Sequence, residues 1–195
     1  MATDVEKVDF NFYPSYADRS FRAYAIAIGE LALSWNGLHD SLGRLFSVVI
    51  EDKKRSASAI WHSIKSDRAQ REVLLAAAER VYSNRQEYPH ALDDIKWILS
   101  EATKIEDFRN DALHSPVILL GTKRKSRPVP SYYFGHVRAT RLKDKDFIRE
   151  FRKFRNDATK LRDFAAHLTY ILLPSEKPAS WPRRPKLRVY PGTNK

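Results

Sequence analysis

The sequence predicts an all-α protein: an antiparallel helical bundle with a small β-hairpin inserted after the helix that carries the candidate site. Three observations carry this expectation. Apolar residues recur at alternating spacings of three and four along most of the 195 residues, the pattern of helices with one buried face. The pattern breaks at two short runs rich in β-branched, aliphatic and aromatic residues, 117–120 and 131–137, which read as strands. Five of the ten prolines lie beyond Leu173, so the helical body ends there and a tail begins. The predicted organisation is a helical domain over 1–173, its hairpin insert at about 117–142, and a Pro-rich basic tail over 174–195.

Taken in order, residues 1–16 read as an irregular lead whose Phe10, Phe12, Tyr13 and Tyr16 can lie against the domain. A long helix follows, capped at Asp18. Its seam runs through Phe21, Tyr24, Ile28, Leu31, Trp35, Leu38, Leu42, Leu45 and Val49. Gly29, Gly37 and Gly43 fall inside it, where each costs roughly 1 kcal/mol relative to alanine; close helix approach or a local break is expected there. Residues 52–55 form a charged turn, and 56–63 a short helix bearing Ile60 and Trp61. The next helix, 67–82, is expected to turn Val73, Leu74, Ala77, Ala78 and Val81 inward. Its Arg68 and Arg71 are expected to pair with solvent-facing acids rather than reach a cavity. Pro89 suits the start of a helix that runs through Ala91, Ile95, Ile98, Ala102 and Ile105 to Ala112.

The hairpin follows, with 121–130 as its loop. From Ala112 to Lys143 no acidic residue occurs, against seven Lys or Arg. Lys123, Arg124, Lys125 and Arg127, beside Tyr132 and Tyr133, suit RNA backbone contacts and base stacking; the same residues also fit a solvated hairpin tip. A last long helix is expected from Asp144, with Phe147, Phe151, Phe154, Ala158, Leu161, Ala165, Leu168 and Leu172 inward. Within it Phe154-Arg155-Asn156-Asp157-Ala158 repeats the string 108–112, with Lys160 where the earlier copy has His114. The repeat reads as a coincidence of helix composition. The tail reads as extended, gaining order on RNA or on a second subunit.

Hydrophobic and charged fractions of 43% and 30% are ordinary for a soluble globular chain, so the net charge of +11 is the departure. It favours a polyanionic partner, RNA or DNA ahead of a membrane surface. There is no cysteine, which excludes disulfides and thiolate metal sites. No run approaches the roughly 18 apolar residues of a membrane span, and residues 1–7 lack a secretory signal pattern, so a cytoplasmic protein is expected. A glycine-rich phosphate loop, a zinc-spaced histidine pair and a nucleophile elbow are all missing, so no metal and no cofactor is expected.

The stretch with chemical character is Phe108-Arg109-Asn110-Asp111-Ala112-Leu113-His114-Ser115-Pro116. Arg109 sits on the inward stripe, where a guanidinium needs a carboxylate or an anion. Pro116 ends the helix near His114, where the ring can swing back toward Arg109, and Asn110 shares its face and can orient it. Arginine, a polar neighbour and a histidine at one helix end suit phosphodiester chemistry. The bland alternative is a paired buried arginine and a histidine at a helix C-terminus, and the residues alone leave both open.

Arg109-Asn110-Asp111-Ala112-Leu113-His114 resembles the motif of the HEPN superfamily: an arginine, a polar residue, three variable residues and a histidine. The setting is similar too, with the motif at the end of an inner helix and a long helix after it, over roughly residues 17–173. The resemblance implies a metal-independent endoribonuclease of a toxin, phage-defence or RNA-processing system, acting as a homodimer and with an antitoxin as a further partner. It makes Arg109, Asn110 and His114 the catalytic set. One subgroup, neutralised by a nucleotidyltransferase, carries a tyrosine two residues after the histidine; this chain has Pro116 there, so that partner is not implied. The alternatives are a non-catalytic nucleic-acid- or nucleotide-binding module of the same kind, and a scaffold whose charge is incidental.

Overall fold

The computed structural model describes residues 9–11, 19–52, 56–122, 125–131, 135–173 and 180–188. The elements are β1 (Asp9–Asn11), α1 (Arg19–Val49), α2 (Ser56–Ser63), α3 (Asp67–Tyr82), α4 (Ala91–His114), β2 (Val117–Thr122), β3 (Lys125–Pro130), α5 (Val137–Arg141) and α6 (Phe147–Ile171). This is a mostly α-helical bundle with a small antiparallel sheet, as the periodicity predicts. No described helix is long and apolar enough to cross a membrane. By internal contacts the chain divides into two compact units, Met1–Ala32 with Asp107–Phe154 and Leu33–Glu106 with Arg155–Lys195, and the boundaries fall inside α1, α4 and α6.

The predicted seams are the buried ones. Along α1, Tyr24, Leu31, Trp35, Leu38, Leu42, Leu45 and Val49 are buried, and along α6 all eight expected residues from Phe147 to Leu172 are. In the first unit Tyr24 meets the edge of Phe147 at 5.4 Å and Phe108 stacks on Phe154 at 4.6 Å. In the second, Trp97 meets Phe164 edge-on at 5.3 Å.

α1 is unbroken at its glycines; close approach explains one of them. A Cβ on Gly43 would lie 2.8 Å from Nε1 of Trp61, while at Gly29 nothing lies within 4 Å. The two positions should therefore respond with opposite sign. Gly29→Ala gains about 1 kcal/mol of helix propensity. Gly43→Ala gains the same but overpacks the indole at a cost of about 1–3 kcal/mol. Chemical denaturation of the two variants beside the parent should place their midpoints on either side of it; two upward shifts would mean that Trp61 moves away freely.

The sheet differs from expectation in both strands outside β2. Its order is β1-β2-β3, all antiparallel, so part of the irregular lead is a strand. The second hairpin strand is 125–130, the stretch expected as loop, with Val117 opposite Pro130 and Thr122 opposite Lys125. Pro128 and Pro130 stand two apart, which puts both missing N–H groups on the same side of an edge strand. The alternate amides face β2, and Ser131 continues the ladder by donating to the Pro116 carbonyl at 2.8 Å. Residues expected as strand at 136–137 instead begin α5, with His136 as its N-cap: Nδ1 accepts from the Ala139 amide at 3.3 Å. Ile118 and Leu119, which point to opposite faces, are both buried, so β2 is covered on both sides.

Other boundaries shift for local reasons. α6 starts at Phe147, after a turn in which Asp144 has φ of 60°, and Asp146 caps it by accepting from the Arg149 amide at 3.1 Å. The expected cap at Asp18 lies outside the described residues. On α3 the inward positions are Gln70, Arg71, Leu74, Ala78 and Tyr82, while Val73 is exposed. The polar residues take the inward places because they complete a buried network described below.

Within the tail, residues 180–188 are held by acids and a lysine of their own chain. Residues 180–188 carry neither helix nor strand. Trp181 Nε1 donates to Asp94 Oδ2 at 2.6 Å, Arg184 pairs with the other oxygen of Asp94 and lies over Trp97, and Lys160 Nζ donates to the Lys186 carbonyl at 2.8 Å. Arg188 lies 3.7 Å from Asp157. Asp94 and Asp157 are both buried, and the cations of this segment supply their counter-charge.

Candidate functional site

The motif occupies the last turns of α4. Ala91, Ile95, Ile98, Ala102, Ile105 and Ala112 are buried as the spacing requires. Arg109 is half-buried, its Nε inside, and its Nη1 donates to Asn110 Oδ1 at 2.9 Å. The guanidinium is thus steered by its sequence neighbour. His114 is exposed at the helix end, where Pro116 was expected to stop the helix. The α pattern nevertheless persists to that end, because the Ser115 amide still donates to the Asp111 carbonyl at 3.2 Å. Five positions apart on such a helix, Arg109 and His114 leave the axis in directions about 140° apart. The side-chain oxygen of Asn110 serves Arg109, and among the described residues no side-chain hydrogen bond joins Asn110 to the His114 ring.

The residue that sequence reasoning missed is Asp111. Only 2% exposed, it faces two arginines of α5, Arg141 at 3.3 Å and Arg138 at 3.7 Å. Burial pushes its carboxyl above the ordinary value, with Arg141 and Arg138 pulling the other way. One clue was present in the sequence. An acid turned inward at the edge of a long acid-free basic stretch must find its cation there. Arg138 and Arg141 are part-exposed, so the pair of guanidiniums is anchored from beneath and open above.

Of the residues expected to touch RNA, Lys123, Arg124, Tyr132 and Tyr133 lie outside the described residues, as does the side chain of Lys125, whose backbone starts β3. Arg127 is exposed on β3, opposite Leu120. It lines a depression together with Lys143 and Lys145.

The repeated string behaves alike in its two places. Arg155 donates to Asn156 Oδ1 at 2.9 Å as Arg109 does to Asn110. Asp157 and Ala158 are buried as Asp111 and Ala112 are, and each aspartate meets cations from later in the chain. The repeat thus has one local geometry used twice: an arginine donating to the next asparagine, followed by a buried acid.

The second unit holds a buried polar network on α1, α3 and α4. Gln70 Nε2 donates to the carbonyls of Trp61 at 3.0 Å and Ile64 at 3.3 Å, which turns its Oε1 to His39 Nδ1 at 3.0 Å. Arg71 Nη1 lies 3.3 Å from His39 Nε2 and its Nη2 donates to Glu106 at 2.6 Å. A guanidinium only donates, so Nε2 is the acceptor, Nδ1 carries the proton, and the imidazole is neutral. Arg71, expected to meet a solvent-facing acid, is buried; Arg68 does pair with an exposed acid, Glu72. Nearby, Trp35 Nε1 donates to Asp67 at 2.7 Å.

Burial holds the His39 pKa below its ordinary value, with Asp67, Gln70 and Glu106 opposing and Arg71 reinforcing. The unfolded ring therefore takes a proton near pH 6.5 while the folded ring does not, and stability falls as pH drops through that window toward the folded pKa. Denaturant midpoints between pH 7.5 and 5.5 should fall for the parent more steeply than for His39→Gln; parallel slopes would remove His39 as the cause.

Comparison with known protein families, with curated proteins and with solved structures returned no match to this chain.

Proposed function

We propose that the protein is a metal-independent endoribonuclease whose reacting groups are Arg109, Asn110 and His114. What carries this reading is their placement: a half-buried arginine steered by an asparagine, and an exposed histidine at the end of the same helix, beside a strongly basic segment. His114 takes the proton of a ribose 2′-hydroxyl, and the 2′-oxygen attacks the adjacent phosphorus. The bond to the 5′-oxygen breaks, and that oxygen receives a proton from a second imidazole. Arg109 stabilises charge on the phosphorane-like transition state. The products are a 2′,3′-cyclic phosphate and a 5′-hydroxyl. Lys123, Arg124, Lys125 and Arg127, with Tyr132 and Tyr133, hold the RNA. A cytoplasmic toxin or phage-defence role with an antitoxin partner belongs to the same reading. Incubation with RNA and with DNA of equal sequence, both in EDTA, tests it: RNA alone should be cut.

One histidine cannot readily be both base and acid in a single step, so the second imidazole comes from a second copy of the chain, and the active unit is a homodimer. Sedimentation at micromolar concentration should give twice the chain mass. A strict monomer that still cuts RNA would remove the shared site.

One observation favours a second reading, a non-catalytic nucleic-acid- or nucleotide-binding module. Arg109 and His114 leave α4 on different faces, and the His114 ring has no hydrogen bond among the described residues.

A further inference from the structure

α5 and its flanking turns, with Arg127 of β3, gather five cations around three acids, Asp111, Asp144 and Asp146. On one side Arg138 lines a depression with Pro116, Ser131, Gly135 and His136. On the other, Arg127, Lys143 and Lys145 rim a cavity of about 420 Å3. Pro128, Pro130, Leu142 and Phe147, all buried, give its lining an apolar part together with Ile148, and Asp144 and Asp146 are its acids. Beneath α5 the buried Asp111 holds Arg141 and Arg138. One acid against two arginines leaves surplus positive charge whether or not that acid is ionised.

We infer that α5 with its flanking turns is a binding track for single-stranded RNA, in which Asp111 positions Arg138 and Arg141 for one backbone phosphate while Arg127, Lys143 and Lys145 take the neighbouring one and the apolar lining receives an unstacked base. The inference deepens the ribonuclease reading by assigning it a substrate class. Cations around an apolar lining match a strand whose bases are free to turn inward; in a duplex those bases are stacked and paired, and only phosphates are presented. Arg138 and Arg141 are part-exposed and α5 is short, so without the carboxylate below them the two side chains would sample many rotamers. Asp111 is thus a positioning residue.

Fluorescence anisotropy with a labelled 2′-O-methyl oligonucleotide of about 12 nucleotides, within the usual range of single-strand sites, tests this without cleavage. Single strand should bind more tightly than the same sequence as a duplex. Arg138→Ala/Arg141→Ala and Lys143→Ala/Lys145→Ala should each weaken single-strand binding roughly tenfold at moderate salt, and lower the salt slope by about 0.7 for the one phosphate each pair serves. Arg44→Ala/Arg68→Ala, which removes two exposed arginines elsewhere, should leave the slope unchanged. Asp111→Asn separates positioning from bulk charge, since it makes the protein more positive. Long-range attraction alone would then tighten binding, whereas positioning predicts weaker binding with helical circular dichroism retained. Unchanged slopes in both double variants, tighter binding by Asp111→Asn, or a duplex bound as well as the single strand would overturn the track. These outcomes are independent of the chemistry: a protein that binds as described and cuts no ordinary RNA loses the ribonuclease reading and keeps the track, and the converse also holds.

Discussion

His114→Ala should lower the rate of RNA cleavage by about 10²–10⁴-fold, the usual worth of a positioned proton-transfer group, and Arg109→Ala by about 10²–10³-fold through lost transition-state stabilisation. Neither loss should come from unfolding. His114 is exposed and its ring makes no hydrogen bond among the described residues, so the ring contributes little to stability. Arg109 is half-buried and its replacement removes the bond to Asn110, so its circular dichroism should be compared with that of the parent. His90→Ala and His167→Ala are the matched controls. Each of these histidines also has an arginine five residues before it, yet His90 stands against Trp181 at the start of α4 and His167 within α6. Both controls should keep activity. Quenched-substrate rates for the four variants would locate the chemistry, and a control that lost activity as fully as His114→Ala would move it.

The largest effect on stability should come from Glu106→Gln. Arg71 is 4% exposed and its guanidinium is neutralised by Glu106 at 2.6 Å. Removing the carboxylate leaves an uncompensated buried charge, at a cost of about 3–5 kcal/mol. For a chain of this size that corresponds to a fall in Tm of roughly 6–20 °C. Arg71→Met should cost less, because Glu106 is partly exposed and can be hydrated, although the guanidinium's contacts with His39 and Trp35 are lost. The double variant Arg71→Met/Glu106→Leu should be more stable than Glu106→Gln alone, since it removes both charges instead of isolating one. Thermal denaturation of the three variants checks the order. If Glu106→Gln melts with the parent, the guanidinium is neutralised elsewhere.

The parts of this molecule legible in the sequence are those governed by apolar spacing. The seams of α1, α4 and α6 could be read residue by residue because burial of a helical face repeats with the helix period. Polar residues that are buried in company could not. Gln70 and Arg71 displaced Val73 from the inward face of α3 because carbonyls, a histidine and a carboxylate from other helices meet them there. A single-chain pattern carries no trace of such partners. The same holds for Asp94, whose cation arrives from residue 184, and for the second cation of Asp157, which arrives from residue 188. β3 lies where a loop was expected, and its two prolines, on an edge strand with both nitrogens outward, cost no ladder bond. At the candidate site the helix end near His114 was expected, while the exposed ring turned away from Arg109, the Arg109–Asn110 bond and the anchored arginines of α5 were not. Side-chain pairing across a turn depends on geometry that the order of residues leaves free.

Proton transfer by His114 in metal-independent RNA cleavage can be checked by end-group analysis of RNA incubated in EDTA with the parent and with His114→Ala at equal concentration. The parent should leave 2′,3′-cyclic phosphate and 5′-hydroxyl ends and the variant essentially no new ends; equal cutting by both proteins, or 3′-hydroxyl ends that vanish when metal is chelated, would rule that role out.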